Sequence, residues 1–171
     1  TVMLEDIQNL LRLDESDNLQ LRPSVVQVDD LKQSTVHELQ RYDAPIDRVQ
    51  FQVGTERIKF NGDRRSLEMI AVQLILNALK FSDDDVAVVY RVEGALLMMT
   101  IADRGIGIAE EEQTAIFTPL VRGSNLQKQE PGLGVGLAIV RKLVERLRGT
   151  IQLHSALNEG TTVVVSVPLQ N

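Results

Sequence analysis

An α+β sandwich, with helices packed on one face of a mixed, mostly antiparallel sheet, is the fold this sequence predicts. Two observations carry the expectation. Segments with apolar residues at spacings of three and four alternate with short segments of alternating polarity, in the order helix, strands, helix, strands, helix, strands. Between two of the strand-like runs stands Glu93-Gly94, a pair suited to a hairpin turn. With 171 residues and 43% hydrophobic content, the chain has enough apolar surface for one ordinary core.

In chain order, residues 2 to 13 carry Leu4, Ile7 and Leu11 as a helical stripe flanked by Met3 and Leu10. The polar run Asp14 to Asn18 and the extended pair Arg22-Pro23 follow, which predicts a linker. Asp29 or Asp30 caps the next expected helix, which runs to about Tyr42 with Leu31, Val36 and Leu39 apolar and Pro45 beyond its end. Val49 to Val53 and Ile58 to Phe60 alternate around Gly54 and read as a hairpin. Asp63 caps a helix to about Phe81, whose buried face is Leu67, Ile70, Ala71, Leu74, Ile75 and Ala78. Val86 to Val92 and Leu96 to Ala102 are strands. Residues 109–133 hold one short helix and a loop long enough to act as a lid. A helix from Gly134 to about Arg148 presents Leu137, Val140, Val144 and Leu147, stops at Gly149, and leads to strands at 150–155 and 161–167.

Composition excludes several functions. The chain has no cysteine, so disulfide scaffolds, thiolate metal sites and cysteine nucleophiles are ruled out, and the composition fits a reducing compartment. A net charge of −6 without a basic patch repels polyanions, and no nucleic-acid partner is expected. No apolar run approaches the roughly 20 residues of a membrane span, and the first residue is Thr1 without a signal-peptide pattern. The chain reads as a cytoplasmic piece of a longer protein, with a membrane anchor left open for the parent.

Three motifs carry chemistry. On the 64–81 helix, Gln73, Asn77 and Lys80 share one edge opposite the apolar stripe. An asparagine oxygen suits magnesium and a lysine suits phosphate; the plain alternative is a solvated helix edge. Asp103-Arg-Gly-Ile-Gly107 follows an apolar strand, where a buried carboxylate needs a donor such as the exocyclic amine of adenine. Gly105 and Gly107 allow sharp turning and close approach; the alternative is a glycine-rich turn capped by Asp103. Gly132-Leu-Gly-Val-Gly136 opens into a helix whose free amides face whatever sits there, and phosphates suit that place. The glycine spacing is neither the dinucleotide fingerprint nor a P-loop, and a glycine-rich helix start is the structural alternative.

The order of these motifs resembles the catalytic and ATP-binding domain of sensor histidine kinases, within the Bergerat-fold ATPases that include gyrase, over nearly the whole chain. Leu76-Asn-Ala-Leu-Lys-Phe-Ser82 is similar to that family's asparagine box, Asp103 to Ile108 to its first glycine box, and Ile116-Phe117 to its phenylalanine box. Gly132 to Ala138 is similar to the second glycine box and Gly160-Thr-Thr162 to the last. The resemblance implies the Bergerat two-layer α/β sandwich with an ATP lid over 109–131. It implies ATP or ADP with Mg2+ as ligands, Asn77 holding the metal, Lys80 and Arg122 meeting phosphates, Phe81 near the base and Asp103 reading adenine. Gly105, Gly107, Gly132, Leu133, Gly134, Val135, Gly136 and Leu137 join the nucleotide site, and Thr161 supports the Asp103 end through water. Residues 1–17 resemble the end of the second helix of a dimerisation and phosphoacceptor hairpin, 18–28 a linker and 29–171 the catalytic domain. The acceptor histidine is then expected upstream, the full-length protein is a homodimer, and the downstream partner is a response regulator receiver domain.

Departures from the pattern matter. Gln73 stands where the family has a second asparagine and where hydrolytic relatives place a glutamate base; an amide cannot take a proton, which favours a phosphoryl donor over an autonomous ATPase. Pro119 replaces a frequent arginine and Leu133 a small hydroxyl residue, both bearing on phosphate contacts. Residues 118–131 offer only Leu120, Val121 and Leu126 as sizeable apolar anchors, so the lid is expected to move without nucleotide. Val36-His-Glu-Leu-Gln-Arg41 superficially resembles the start of a phosphoacceptor box, but no second long helix separates it from the asparagine-box helix, so His37 reads as a decoy. Two rival readings are a module that binds no nucleotide and an anti-sigma type protein-serine kinase. Asn77 with Asp103 speaks against the first, and the N-terminal stripe against the second.

Overall fold

The computed structural model describes residues 22, 24–54, 59–119 and 134–169. The expected dimerisation helix over residues 1–17, the greater part of the lid, Arg122, Gly132 and Leu133 lie outside the described residues. Seven strands and three α-helices are described: β1 (Ser24–Gln27), α1 (Val28–Arg41), β2 (Val49–Val53), β3 (Lys59–Gly62), α2 (Arg64–Phe81), β4 (Val86–Glu93), β5 (Leu96–Asp103), α3 (Gly136–Arg146), β6 (Thr150–Ala156) and β7 (Gly160–Pro168).

Five strands form the main sheet in the order β2-β4-β5-β7-β6. Only β2 and β4 are parallel; the other pairs are antiparallel. Register puts the apolar alternation of each strand on one face. Phe51 pairs with Val88, Tyr90 with Met99, Ile101 with Val163 and Val163 with Leu153. These rows bury Val88, Tyr90, Met99 and Ile101 beneath the helices, each large apolar side chain contributing about 1.5–3 kcal/mol on transfer from water. The buried Tyr90 hydroxyl is 3.3 Å from Thr35 Oγ1, and Thr35 Oγ1 donates to the Leu31 carbonyl at 2.7 Å, which fixes α1 against the sheet.

The α2 helix sits between α1 and α3 and also contacts β4 and β5. Burial therefore extends beyond the expected stripe to Val72, Gln73 and Leu79. Asp63 caps it as the sequence suggests: Oδ1 accepts from the Ser66 amide at 3.0 Å, while Oδ2 accepts from the Arg22 amide at 3.0 Å.

Several local expectations are corrected. Val49–Val53 does not form a hairpin with the strand after it; β2 pairs with β4, and β3 pairs antiparallel with β1 in a separate two-stranded sheet. Alternation reports which face is buried, here Val26 against Phe60, not which neighbour supplies the hydrogen bonds. Ser24–Gln27, read from sequence as linker, is thus an edge strand of the folded unit. Gln27, not Asp29 or Asp30, stands at the N-cap position of α1 and makes no side-chain capping bond; the two aspartates lie in the first turn and face the positive end of the helix dipole. The α3 helix starts at Gly136, because Gly134 has φ of +69°, outside helical space. In place of one short helix, 109–119 holds two single 3-10 turns, Glu110–Glu112 and Ala115–Phe117.

Candidate nucleotide-binding site

Asp103, the last residue of β5, lies opposite Thr161 on β7, and Thr161 lies opposite Ser155 on β6. Residues directly opposite one another point to the same face. These three therefore continue, in polar form, the rows of buried Ile101 and Val163 and half-buried Leu153. Asp103 Oδ1 accepts from the Gly105 amide at 2.8 Å and from the Thr161 amide at 3.3 Å. Among the described residues no donor reaches Oδ2, so that oxygen can take an N–H from a ligand. Burial raises the Asp103 pKa above its ordinary value, opposed by the amides of Gly105 and Thr161.

The end of α2 is fastened to this corner. Asn77, Lys80 and Phe81 occupy its last turns, half-buried. The Lys80 ammonium lies 4.8 Å from the Phe81 ring centroid, within cation–π range. The Ile106 amide donates to the Phe81 carbonyl at 3.1 Å. That approach depends on Gly105, where a Cβ would overlap the same carbonyl. Gly107, at φ +65°, lies so close to β6 that a Cβ would overlap the Ala156 carbonyl. Beyond Phe81, the Arg48 guanidinium donates through Nη2 to the carbonyls of Ser82 at 2.6 Å and Asp84 at 2.8 Å, holding the turn that ends the helix.

The structure thus brings Asp103, Gly105, Gly107, Thr161 and the Phe81 carbonyl together at one end of the sheet. One turn before Asn77 on the same edge of α2, Gln73 is buried and its Oε1 lies 2.7 Å from where a Gly136 Cβ would stand. The Gln73 carbonyl therefore abuts the first residue of α3. Gly134, Gly136 and Leu137 are half-buried and Val135 is buried at that helix start. Phe117 is half-buried beside buried Ile116, and Pro119 is exposed.

Two residues escaped the sequence reading. Ser155 Oγ accepts from the Ile108 amide at 2.9 Å, donates to the Gly160 carbonyl at 2.9 Å and lies 2.8 Å from Thr161 Oγ1. Its signal was present: Ser155 continues the phase of Ile151 and Leu153, a hydroxyl in a core register. Gln113 Nε2 donates to the carbonyls of Ile108 at 3.1 Å and Ser155 at 2.9 Å, anchoring the foot of the lid segment. Backbone carbonyls leave no trace in sequence, so nothing announced Gln113.

Among the described residues no cluster of three or more His, Cys, Asp or Glu side chains can hold a metal, and no helix is long and apolar enough to cross a membrane.

Residues 62–171 match the family model described as histidine kinase-, DNA gyrase B-, and HSP90-like ATPase. An uncharacterized sensor-like histidine kinase of Rhizobium meliloti is 37% identical over 113 residues, 64% of this chain and 22% of that protein. The circadian input-output histidine kinase CikA of Synechococcus elongatus is 36% identical over 114 residues, 65% of this chain and 15% of that protein. The chain therefore spans less than a quarter of the length of these relatives. Histidine kinase AdeS of Acinetobacter baumannii superposes with a TM-score of 0.74 at 21% identity, over 98% of this chain and 77% of that one. Full-length ShkA in complex with AMPPNP superposes with a TM-score of 0.81 at 21% identity, over 99% of this chain and 36% of that one. The Bergerat sandwich anticipated from the boxes is the fold observed, and this chain belongs to the histidine kinase-, DNA gyrase B- and HSP90-like ATPase family.

Proposed function

We propose that this domain binds Mg-ATP and donates the γ-phosphoryl group to a histidine on an upstream dimerisation domain, within a homodimeric kinase that passes the phosphoryl group to a response regulator receiver domain. The observation that carries the nucleotide assignment is the carboxylate of Asp103, with Oδ1 held by two amides and no donor to Oδ2 among the described residues. Adenine presents its exocyclic amine there. Guanine presents a carbonyl, which forfeits the hydrogen bond and meets like partial charge, a difference of about 1–3 kcal/mol.

Asn77 and Lys80, three residues apart on the last turns of α2, share one face. The amide oxygen of Asn77 is the donor for magnesium, and Lys80 is the point charge for phosphate. A single neutral protein oxygen, with no acidic cluster among the described residues, suits an ion that arrives sharing its ligands with the nucleotide phosphates. When bound, the ion neutralises charge on the phosphates during transfer. Phosphoryl transfer breaks the bond between the γ-phosphorus and the β,γ-bridging oxygen and forms a bond to the imidazole nitrogen, leaving ADP. Gln73, turned toward α3 and unable to accept a proton, leaves that position without a base for water, which supports donation over hydrolysis.

Calorimetric titration with ATP, ADP and GTP, with magnesium and in EDTA, tests the reading. Binding of adenine nucleotides with a magnesium-dependent gain, and weaker binding of GTP, is expected. Equal affinity for ATP and GTP would remove Asp103 from the base, and a magnesium dependence unchanged by Asn77→Ala would remove Asn77 from the metal.

A further inference from the structure

We propose that Ser155 is a specificity-determining residue that sets the proton of Thr161, so that the base-reading edge of the pocket presents acceptors only. The inference rests on the reading that Asp103 faces the purine 6-position. A serine hydroxyl has one proton and two lone pairs, and Ser155 Oγ has three partners. The Ile108 amide can only donate to it, at 2.9 Å, and the Gly160 carbonyl can only accept from it, at 2.9 Å. The remaining contact, 2.8 Å to Thr161 Oγ1, is then satisfied in one way: Thr161 donates to Ser155. Proton positions follow here from saturating the network, and no other assignment satisfies all three contacts.

The consequence reaches the ligand. With its proton turned toward β6, Thr161 has only lone pairs for the pocket. Thr161 and Asp103 stand opposite each other on neighbouring strands, with side chains about 5 Å apart on one face. A 6-amino purine finds acceptors along that edge; a 6-oxo purine finds no donor. Discrimination thus gains a repulsive element beyond the carboxylate itself. Gln113, which donates to the carbonyls of both Ile108 and Ser155, keeps the Ile108 amide aimed at Ser155, while the Gly160 carbonyl, which can only accept, holds the Ser155 proton away from Thr161.

Removing the Ser155 hydroxyl frees the Thr161 proton to rotate toward the pocket and donate to a 6-oxo group. The test compares ATP and inosine triphosphate by calorimetry on the whole chain, for wild type, Ser155→Ala, Ser155→Cys and Ser155→Thr. The ratio Kd(ITP)/Kd(ATP) is expected to fall at least threefold in Ser155→Ala, mainly through tighter ITP binding. Ser155→Cys, which keeps volume but offers a weak acceptor and donor, should move the same way, and Ser155→Thr should keep the wild-type ratio. An unchanged ratio in both the alanine and cysteine variants overturns the proposal, as does equal weakening toward both nucleotides, the mark of a purely structural role. If Ser155→Ala has no cooperative thermal transition, Ser155→Cys decides; absence of a transition in both makes Ser155 a folding residue and also overturns it. A wild type that itself binds ATP and ITP equally sinks the adenine reading of Asp103, whereas a discriminating wild type with equally discriminating variants sinks this inference alone.

Discussion

The amide of Ile106 donates to the carbonyl oxygen of Phe81 at 3.1 Å, so the first glycine box is tied to the last residue of the helix that carries Asn77 and Lys80. A lost side chain makes the tie possible. Gly105→Ala would drive a methyl group into the Phe81 carbonyl, and backbone cannot yield as a flexible side-chain end can. The variant is expected to lose about 1–3 kcal/mol of stability in denaturant unfolding and to weaken ATP binding further than the stability loss explains, because Asp103 and the end of α2 separate. A Gly105→Ala protein with wild-type stability and ATP affinity would show that this approach is not required.

Asp103 carries a sign that distinguishes binding from stability. Its folded pKa is raised, chiefly by burial. A group raised in this way contributes stability that is present below its unfolded pKa and lost as pH rises through the folded one. Without nucleotide, Asp103→Asn is therefore expected to be as stable as wild type or more so at neutral pH, the advantage shrinking in acid. Nucleotide affinity moves oppositely. Wild-type ATP binding should decline on acidification at a higher pH than an ordinary aspartate would give, as the acceptor is protonated, while the asparagine variant binds weakly throughout, by about 1–3 kcal/mol. Thermal melts and titrations from acid to neutral pH check both halves; an Asp103→Asn protein clearly less stable than wild type at neutral pH would contradict the burial argument.

How much of this was legible in the sequence depends on the physics of each element. The buried stripe of α2 and its Asp63 cap were readable, because a 3.6-residue period and a capping side chain are local signals. The partner of β2 was not. Val49, Phe51 and Val53 give the buried face, but the choice of β4 over β3 is made by strands distant in the chain. Asp103 stood out as a carboxylate ending an apolar strand, and Ser155 was missed although the same logic, a polar group in phase with Ile151 and Leu153, applies to it. Gln73 was seen as a departure, but its contact with Gly136 depends on how α2 and α3 pack and no sequence spacing encodes that.

That contact supports a coupled prediction. A Cβ at Gly136 would lie 2.7 Å from Gln73 Oε1, which is too close unless the glutamine end moves. Gly136→Ala alone should destabilise the domain and weaken ATP binding, and Gln73→Ala alone should open a gap at the same place. Combined, the two changes relieve one another. Residues in contact show coupling of about 0.5–3 kcal/mol in such cycles, and a double variant whose loss equals the sum of the single losses would mean that Gln73 does not position the start of α3.

The last prediction concerns where the phosphoryl group goes. His37 lies exposed on α1, a helix whose Leu31 and Leu39 are buried in the core of the ATP-binding fold and which packs beside α2. His154 is exposed on β6, an edge strand of the same sheet. An acceptor histidine has to approach the γ-phosphate in line with the departing oxygen, and a residue on a helix fixed into the domain's own core reaches it only if that core opens. Neither histidine is expected to accept the group. Incubated with ATP labelled at the γ-phosphate, this chain should bind nucleotide yet acquire no acid-labile label. A longer chain that adds the upstream hairpin with its histidine should become labelled, and the label should persist when His37 is replaced by alanine. Acid-labile labelling of this chain alone, abolished by His37→Ala, would place the acceptor on α1 and overturn the assignment of phosphotransfer to an upstream domain.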